Sequence, residues 1–132
     1  MRTDMPDDAQ PKHPYDLEER TAKFAEEIIE FCRTIPQNTI TTPMITQLIK
    51  SGTSQAANYY EAVEAESTKD FFHKIGIAQK EIKETKLWLR LIAKAHEPAK
   101  ERARVLWKEA HELNLIFASV RRKRFENSKI EN

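Results

Sequence analysis

Gln47-Leu-Ile-Lys-Ser-Gly-Thr-Ser-Gln-Ala-Ala-Asn-Tyr-Tyr-Glu-Ala-Val-Glu-Ala-Glu66 is the least generic stretch of this sequence. Its apolar residues recur at helical intervals, yet its middle holds Ser51, Gly52, Thr53 and Ser54 where a soluble helix ordinarily carries leucine or lysine. A mid-helix glycine costs about 1 kcal/mol relative to alanine. Gly52 therefore predicts a neighbouring helix that approaches the backbone closely. The hydroxyls beside it predict hydrogen bonds to neighbouring helices or to the carbonyl four residues back. Upstream, Thr42-Pro43 reads as an N-cap followed by proline at the first helical position. The expected buried face of this helix is Ile45, Ile49, Gly52, Ala56, Tyr59 and Val63, with Leu48 at its flank.

Three more helices follow from spacing. Asp16 and Glu19 form a capping-box-like start, and Leu17, Thr21, Phe24, Ile28, Phe31 and Ile35 alternate at four and three residues before Pro36. Ser67-Thr-Lys-Asp70 is a second such start. It leads into Phe71, Ile75, Ala78, Ile82, Thr85, Leu89 and Ile92, which His96-Glu97-Pro98 interrupts. The last helix shows Ala99, Ala103, Leu106, Ala110, Leu113, Phe117 and Val120. Short connections make consecutive helices antiparallel neighbours. The expected fold is all-α, an antiparallel up-down-up-down four-helix bundle over residues 15–124, with a disordered arm at 1–14 and a polar tail at 125–132.

Composition agrees. There are two glycines in 132 residues, and all six prolines fall where helices begin or end. Charged residues make up 33% of the chain but nearly cancel, at +1, which is not the balance of a dedicated nucleic-acid binder. The single Cys32 excludes an intramolecular disulfide and a cysteine zinc site. Without a signal-peptide core or a long apolar run, the expectation is a soluble cytoplasmic protein with no membrane segment.

More apolar residues are present than four seams need. Tyr60, Leu87, Trp88, Leu91, Trp107 and Ile116 lie off the seams, as do Ile29, Ile77, Val105 and Leu115. Together they predict an apolar surface patch and hence self-association.

Enzymatic chemistry finds little support. Glu61, Glu64, Glu81 and Glu84 suggest a carboxylate metal site within a bundle, but such sites need Glu-x-x-His, and no glutamate here has histidine three residues later. Cys32 sits among core positions and reads as packing. Ser51 and Ser54 have no adjacent histidine, and no glycine-rich phosphate loop exists. No cofactor, metal or catalytic residue is expected. Ser51, Gly52, Ser54, Asn58, Glu61, Glu81 and Thr85 are instead expected to set packing and register, with Asn58 paired to Glu81 or Glu84.

Ser51-Gly-Thr-Ser54, Ala57-Asn-Tyr59 and Glu61-Ala62, followed by Phe71, Lys74, Ala78, Glu81, Glu84-Thr85 and Trp88-Leu89, resemble a bacterial four-helix-bundle family. It includes proteins encoded in intervening sequences of 23S rRNA genes and the accessory variability determinant of diversity-generating retroelements. The resemblance covers residues 15–120. It implies a ring-like homopentamer, without an assigned activity for most members. In the retroelement branch it implies binding of a reverse transcriptase and nucleic acid through basic surface. Gln55-Ala56, Lys50 and the near-neutral charge depart from the family pattern.

Two clusters supply cations for such a surface. Lys80, Lys83, Lys86, Arg90 and Lys94 occupy the outer half of the third helix, and Arg121, Arg122, Lys123 and Arg124 end the fourth. In a symmetric oligomer each patch is repeated, and phosphate contacts add. The functional expectation is a non-enzymatic oligomeric scaffold or adaptor for a protein or ribonucleoprotein partner. Direct RNA or DNA binding through these basic patches is the alternative.

Overall fold

The computed structural model describes residues 16–131, with side chains described as far as Lys123. The arm expected at 1–14 and the side chain of Arg124 lie outside the described residues. The described residues form four helices: α1 (Leu17–Arg33), α2 (Thr41–Val63), α3 (Thr68–Ala95) and α4 (Lys100–Glu131), with a single 3₁₀ turn, Glu97–Ala99, before α4. They make an all-α antiparallel four-helix bundle. The last helix continues to Glu131, so the polar tail expected from residue 125 is helical that far.

Three of the four seams lie where the spacing puts them. Leu17, Thr21, Phe24, Ile28, Phe31 and Ile35 are buried, as are Ile75, Ala78, Ile82, Thr85, Leu89 and Ile92 on α3. On α4, Leu106, Ala110, Leu113 and Phe117 are enclosed, and Val120 packs at the edge. Asp16 caps α1 through the Glu19 N–H at 3.4 Å, and Ser67 caps α3 through the Asp70 N–H at 3.0 Å.

The second helix departs from expectation at both ends. Thr42 is not its N-cap, because α2 starts one residue earlier. The Asn38 carboxamide oxygen accepts the N–H groups of Ile40 and Thr41, each at 2.9 Å, and the Thr41 hydroxyl donates to the Pro36 carbonyl. Pro43 is the third helical residue, inside the first turn, where a missing N–H loses no bond. The buried face is also rotated. Leu48, expected at the flank, is fully enclosed, whereas Val63 is 43% exposed and Ile49 and Tyr59 lie at the margin. Ile45, Gly52 and Ala56 are buried as expected, but Leu48, Ser51, Gln55 and Ala62 complete the face in place of Ile49, Tyr59 and Val63.

These small and polar residues tie α2 to both neighbours. A Cβ built on Gly52 would lie 2.9 Å from Ile28 Cγ2 and 3.0 Å from its Cγ1, so the glycine is the condition for the α1–α2 approach. Ser51 Oγ accepts the Thr85 hydroxyl at 2.9 Å, a buried side-chain pair that sets α2 against α3. Gln55 Nε2 donates to the carbonyls of Thr21 and Gly52, each at 3.0 Å, while its Oε1 is buried without a partner. The Asn58 pairing with α3 carboxylates does not occur. Its Nδ2 donates to the Ser54 carbonyl on its own helix at 2.9 Å, the local bond with which such side chains satisfy themselves. Glu61 instead pairs with Lys74 at 2.7 Å.

Packing between α1 and α4 is thinner, and ion pairs join them. Arg20 meets both Glu109 oxygens, each at 2.8 Å, in the fork geometry that strengthens such pairs. Tyr59 of α2 stacks on Phe117 of α4 across the bundle, ring centroids 6.0 Å apart.

The two glycines give opposite expectations for one substitution. At Gly76 the atoms nearest an added Cβ are those of the Arg121 guanidinium, at 3.6 Å or more, so Gly76→Ala should gain the helix-propensity term of about 1 kcal/mol. Gly52→Ala drives a methyl into the stiff β-branched Ile28, and overpacking of about 1–3 kcal/mol outweighs the same gain. Chemical unfolding should show the first variant above the parent and the second below it. Adding Ile28→Ala to Gly52→Ala should cost less than the sum of the two single changes. A Gly52→Ala protein more stable than the parent contradicts the close approach.

Glu81 yields a pH signature. Desolvation raises its pKa above the usual 4.5, repulsion from Glu84 adds to this, and Lys50 and Lys80 oppose it. A carboxyl raised on folding contributes stability that is present below its unfolded pKa and is lost as pH rises through the folded value. Glu81→Gln should therefore be more stable than the parent near neutral pH, with the difference vanishing below 4.5. A thermal melt series against pH measures this; a variant less stable at neutral pH and indistinguishable in acid is the opposite outcome.

Candidate nucleic-acid interface

Residues facing away from the core on α3 fall into one stripe. His73, Gly76, Lys80, Lys83, Leu87, Arg90 and Lys94 are spaced alternately by three and four residues, so they share a helix face, with the exposed Glu84, four residues from Lys80 and three from Leu87, as its acid. Along α4, Lys100, Arg104 and Lys108 form an i, i+4, i+8 row. The antiparallel packing of α3 against α4 sets the two rows beside one another.

Two grooves result. The first, about 650 Å³, lies between the C-terminal end of α3 and the start of α4. Leu89, Ala93, Ala103 and Trp107 supply its apolar surface, while Arg90, Lys94, Lys100, Arg104 and Lys108 supply five cations against the single carboxylate of Glu97. Arg104 also bonds Glu101 at 3.0 Å on the exposed surface. Among the described residues, the other four cations have no carboxylate within salt-bridge distance. The second groove, about 930 Å³, lies at the other end of the same helix pair, with Lys69, His73, Lys80, Arg121 and Arg122 around Phe72, Gly76 and Ile77 and no acid among the described lining residues. There Arg121 Nη1 donates to Gln79 Oε1 at 2.9 Å, and Gln79 Nε2 donates to Asn114 Oδ1 at 3.2 Å. The guanidinium is thus held across Gly76 by linked side chains spanning α3 and α4.

Of the cations that the sequence singles out, Arg90 and Lys94 reach the first groove and Lys80, Arg121 and Arg122 the second. Lys83 and Lys123 are exposed outside both. Lys86 is not an outward cation. Its Nζ lies 3.0 Å from His111 Nδ1 and 4.5 Å from the Trp107 ring centroid, a cation–π arrangement. Lys69, Lys100, Arg104 and Lys108 are additions that the structure makes to the sequence expectation, although the four-residue spacing of the last three is visible in Lys100-Glu-Arg-Ala-Arg-Val-Leu-Trp-Lys108.

The expected apolar surface divides likewise. Trp88, Trp107 and Ile116 pack against the core edge, whereas Leu87, Val105 and Leu115 are 49%, 55% and 50% exposed. Tyr60 and Val63 are exposed at the end of α2, and Leu91 is half-buried. The Cys32 thiol is buried, and desolvation pushes its pKa up to about 11, which leaves it a packing residue rather than a nucleophile. Among the described residues, no three His, Cys, Asp or Glu side chains gather in a metal-binding group, and no helix is long and apolar enough to cross a membrane.

Comparison with known proteins agrees with the fold. The chain is similar to a crystal structure from Bacteroides thetaiotaomicron VPI-5482 of a protein with unknown function from the S23 ribosomal protein family. The two are 29% identical, with a TM-score of 0.71 over 79% of this chain and 96% of that one. No curated protein matches the sequence. The family described as 23S rRNA-intervening sequence protein matches residues 15–119, the whole bundle up to the last turn of the α4 seam, and the chain belongs to that family.

Proposed function

We propose that this chain is a non-enzymatic, cytoplasmic interaction protein whose working surface is the outer face of α3 and α4, and that it docks the nucleic acid of a ribonucleoprotein partner there. One observation carries the proposal: a near-neutral chain places nine of its 22 lysines and arginines, with one histidine, in two grooves on one helix pair, against a single carboxylate, Glu97, among the described lining residues. Cations without carboxylate partners supply the phosphate contacts that dominate nucleic-acid affinity.

We propose self-association through the same helix pair. Leu87, Val105 and Leu115 are exposed large apolar side chains on α3 and α4, the kind of surface that a second copy could cover. The family resemblance implies a homopentamer, in which repeated grooves would act together on one polyanion. Sedimentation of the purified chain should give five times the monomer mass, and a monomer at high micromolar concentration contradicts the assembly.

The binding reading is tested by anisotropy of a labelled RNA oligonucleotide across a salt series. Lys100→Glu with Arg104→Glu should weaken binding and flatten the log–log salt slope by about 2, one for each phosphate that is no longer neutralised. Lys23→Glu with Lys50→Glu makes the same change of charge on the exposed surface of α1 and α2 and should leave the slope unchanged. Equal losses in both pairs would reduce the effect to net charge, and no binding even at low salt overturns the proposal.

A further inference from the structure

We infer that the first groove takes an unpaired nucleotide of a single-stranded segment, its base against Trp107 and its phosphates on the surrounding cations. This rests on the nucleic-acid reading above and adds to it the strandedness of the ligand.

The two grooves differ in kind. Phosphate contacts alone need only cations, and both grooves have them. The first adds an indole, Trp107, set among Leu89, Ala93 and Ala103 below the cationic rim. A duplex keeps its bases stacked inside and offers this surface only sugar and phosphate. An unpaired nucleotide offers both a planar apolar face and a negative charge, and base–aromatic stacking of this kind tolerates any sequence. About 650 Å³ is the scale of a small-molecule site, room for a single nucleotide and not for a helix of two strands.

The indole is also held in place before any ligand arrives. His111 stacks on Trp107 with planes 11° apart and centroids separated by 5.2 Å, and Lys86 sits over the ring while bonded to His111. Both lie one turn along their helices from the groove-lining Arg90 and Trp107, so they fix the ring without filling the groove. A fixed aromatic loses little freedom on binding. Lys86, sequentially one of a row of outward lysines, turns inward to meet His111 and the indole, and so polarises the ring.

An acidic peptide is the competing occupant, since it shares the charge but offers no planar base. The test uses the full chain with a labelled oligouridylate, a duplex of the same length and a polyglutamate peptide, at one salt concentration. The single strand should bind at least several-fold more tightly than the duplex or the peptide. Trp107→Ala should weaken single-strand binding roughly 5- to 100-fold while duplex binding holds, and Trp107→Tyr, which keeps a stacking ring, should retain most of the preference. Because Trp107 packs at the core edge, circular dichroism must show both variants folded. In Trp88→Phe, which leaves Trp107 the sole tryptophan, single strand should quench the fluorescence and duplex should not. Equal affinity for both strand types, tighter binding of the peptide, or an unchanged single-strand affinity in a folded Trp107→Ala overturns this inference alone. Failure of the parent protein to bind either nucleic acid overturns it together with the broader reading.

Discussion

The approach of α2 to Ile28 governs the rest of the bundle. Without a Cβ at Gly52 the second helix settles against the first at a distance no other residue permits. Its opposite flank then meets α3, where Ser51 and Thr85 close a buried hydrogen bond. Gln55 reaches back to the Thr21 carbonyl from between the two. The second helix is thereby used on both sides for packing. Its polar residues, which look at first like a site, are consumed by structure.

That division of labour leaves α3 and α4 to present the outer surface. Their inner seams are ordinary leucine, isoleucine and phenylalanine layers, fully enclosed. Their outer rows carry cations, and Gln79, bonded to both Arg121 and Asn114, keeps at least one of them oriented. Fixed cations over a packed scaffold bind a polyanion with less ordering cost than mobile ones. The acids that balance these cations lie partly on other faces, as in the Arg20–Glu109 and Arg102–Glu27 pairs between α1 and α4, and partly beside the rows, where Glu97 lines the first groove and Glu101 bonds Arg104.

Legibility in the sequence follows the physics of each element. The seams of α1, α3 and α4 are readable because large apolar residues at four-three spacing have one way to be buried together. The seam of α2 is not, since Ser51, Gln55 and Ala62 occupy core positions that hydrophobicity assigns to Val63 and Tyr59. The cap of α2 escapes the pattern because Asn38, three residues before the helix, supplies it from the loop. Asn58 needs no distant partner when a bond to its own helix is available. For the interface, single-helix stripes find Arg90, Lys94 and Lys80. The facing row of Lys100, Arg104 and Lys108 requires the turn between α3 and α4, and the inward Lys86 requires the positions of Trp107 and His111. Periodicity reports which residues share a face; it does not report what that face meets.

Photo-crosslinking with a 4-thiouridine RNA, read by peptide mass spectrometry, tests the central claim most directly. Adducts should concentrate on the peptides that carry Arg90, Lys94 and Lys100–Lys108, with a second set around Lys69–Lys80. Adducts confined to α1 and α2, or spread evenly over the surface, would contradict it.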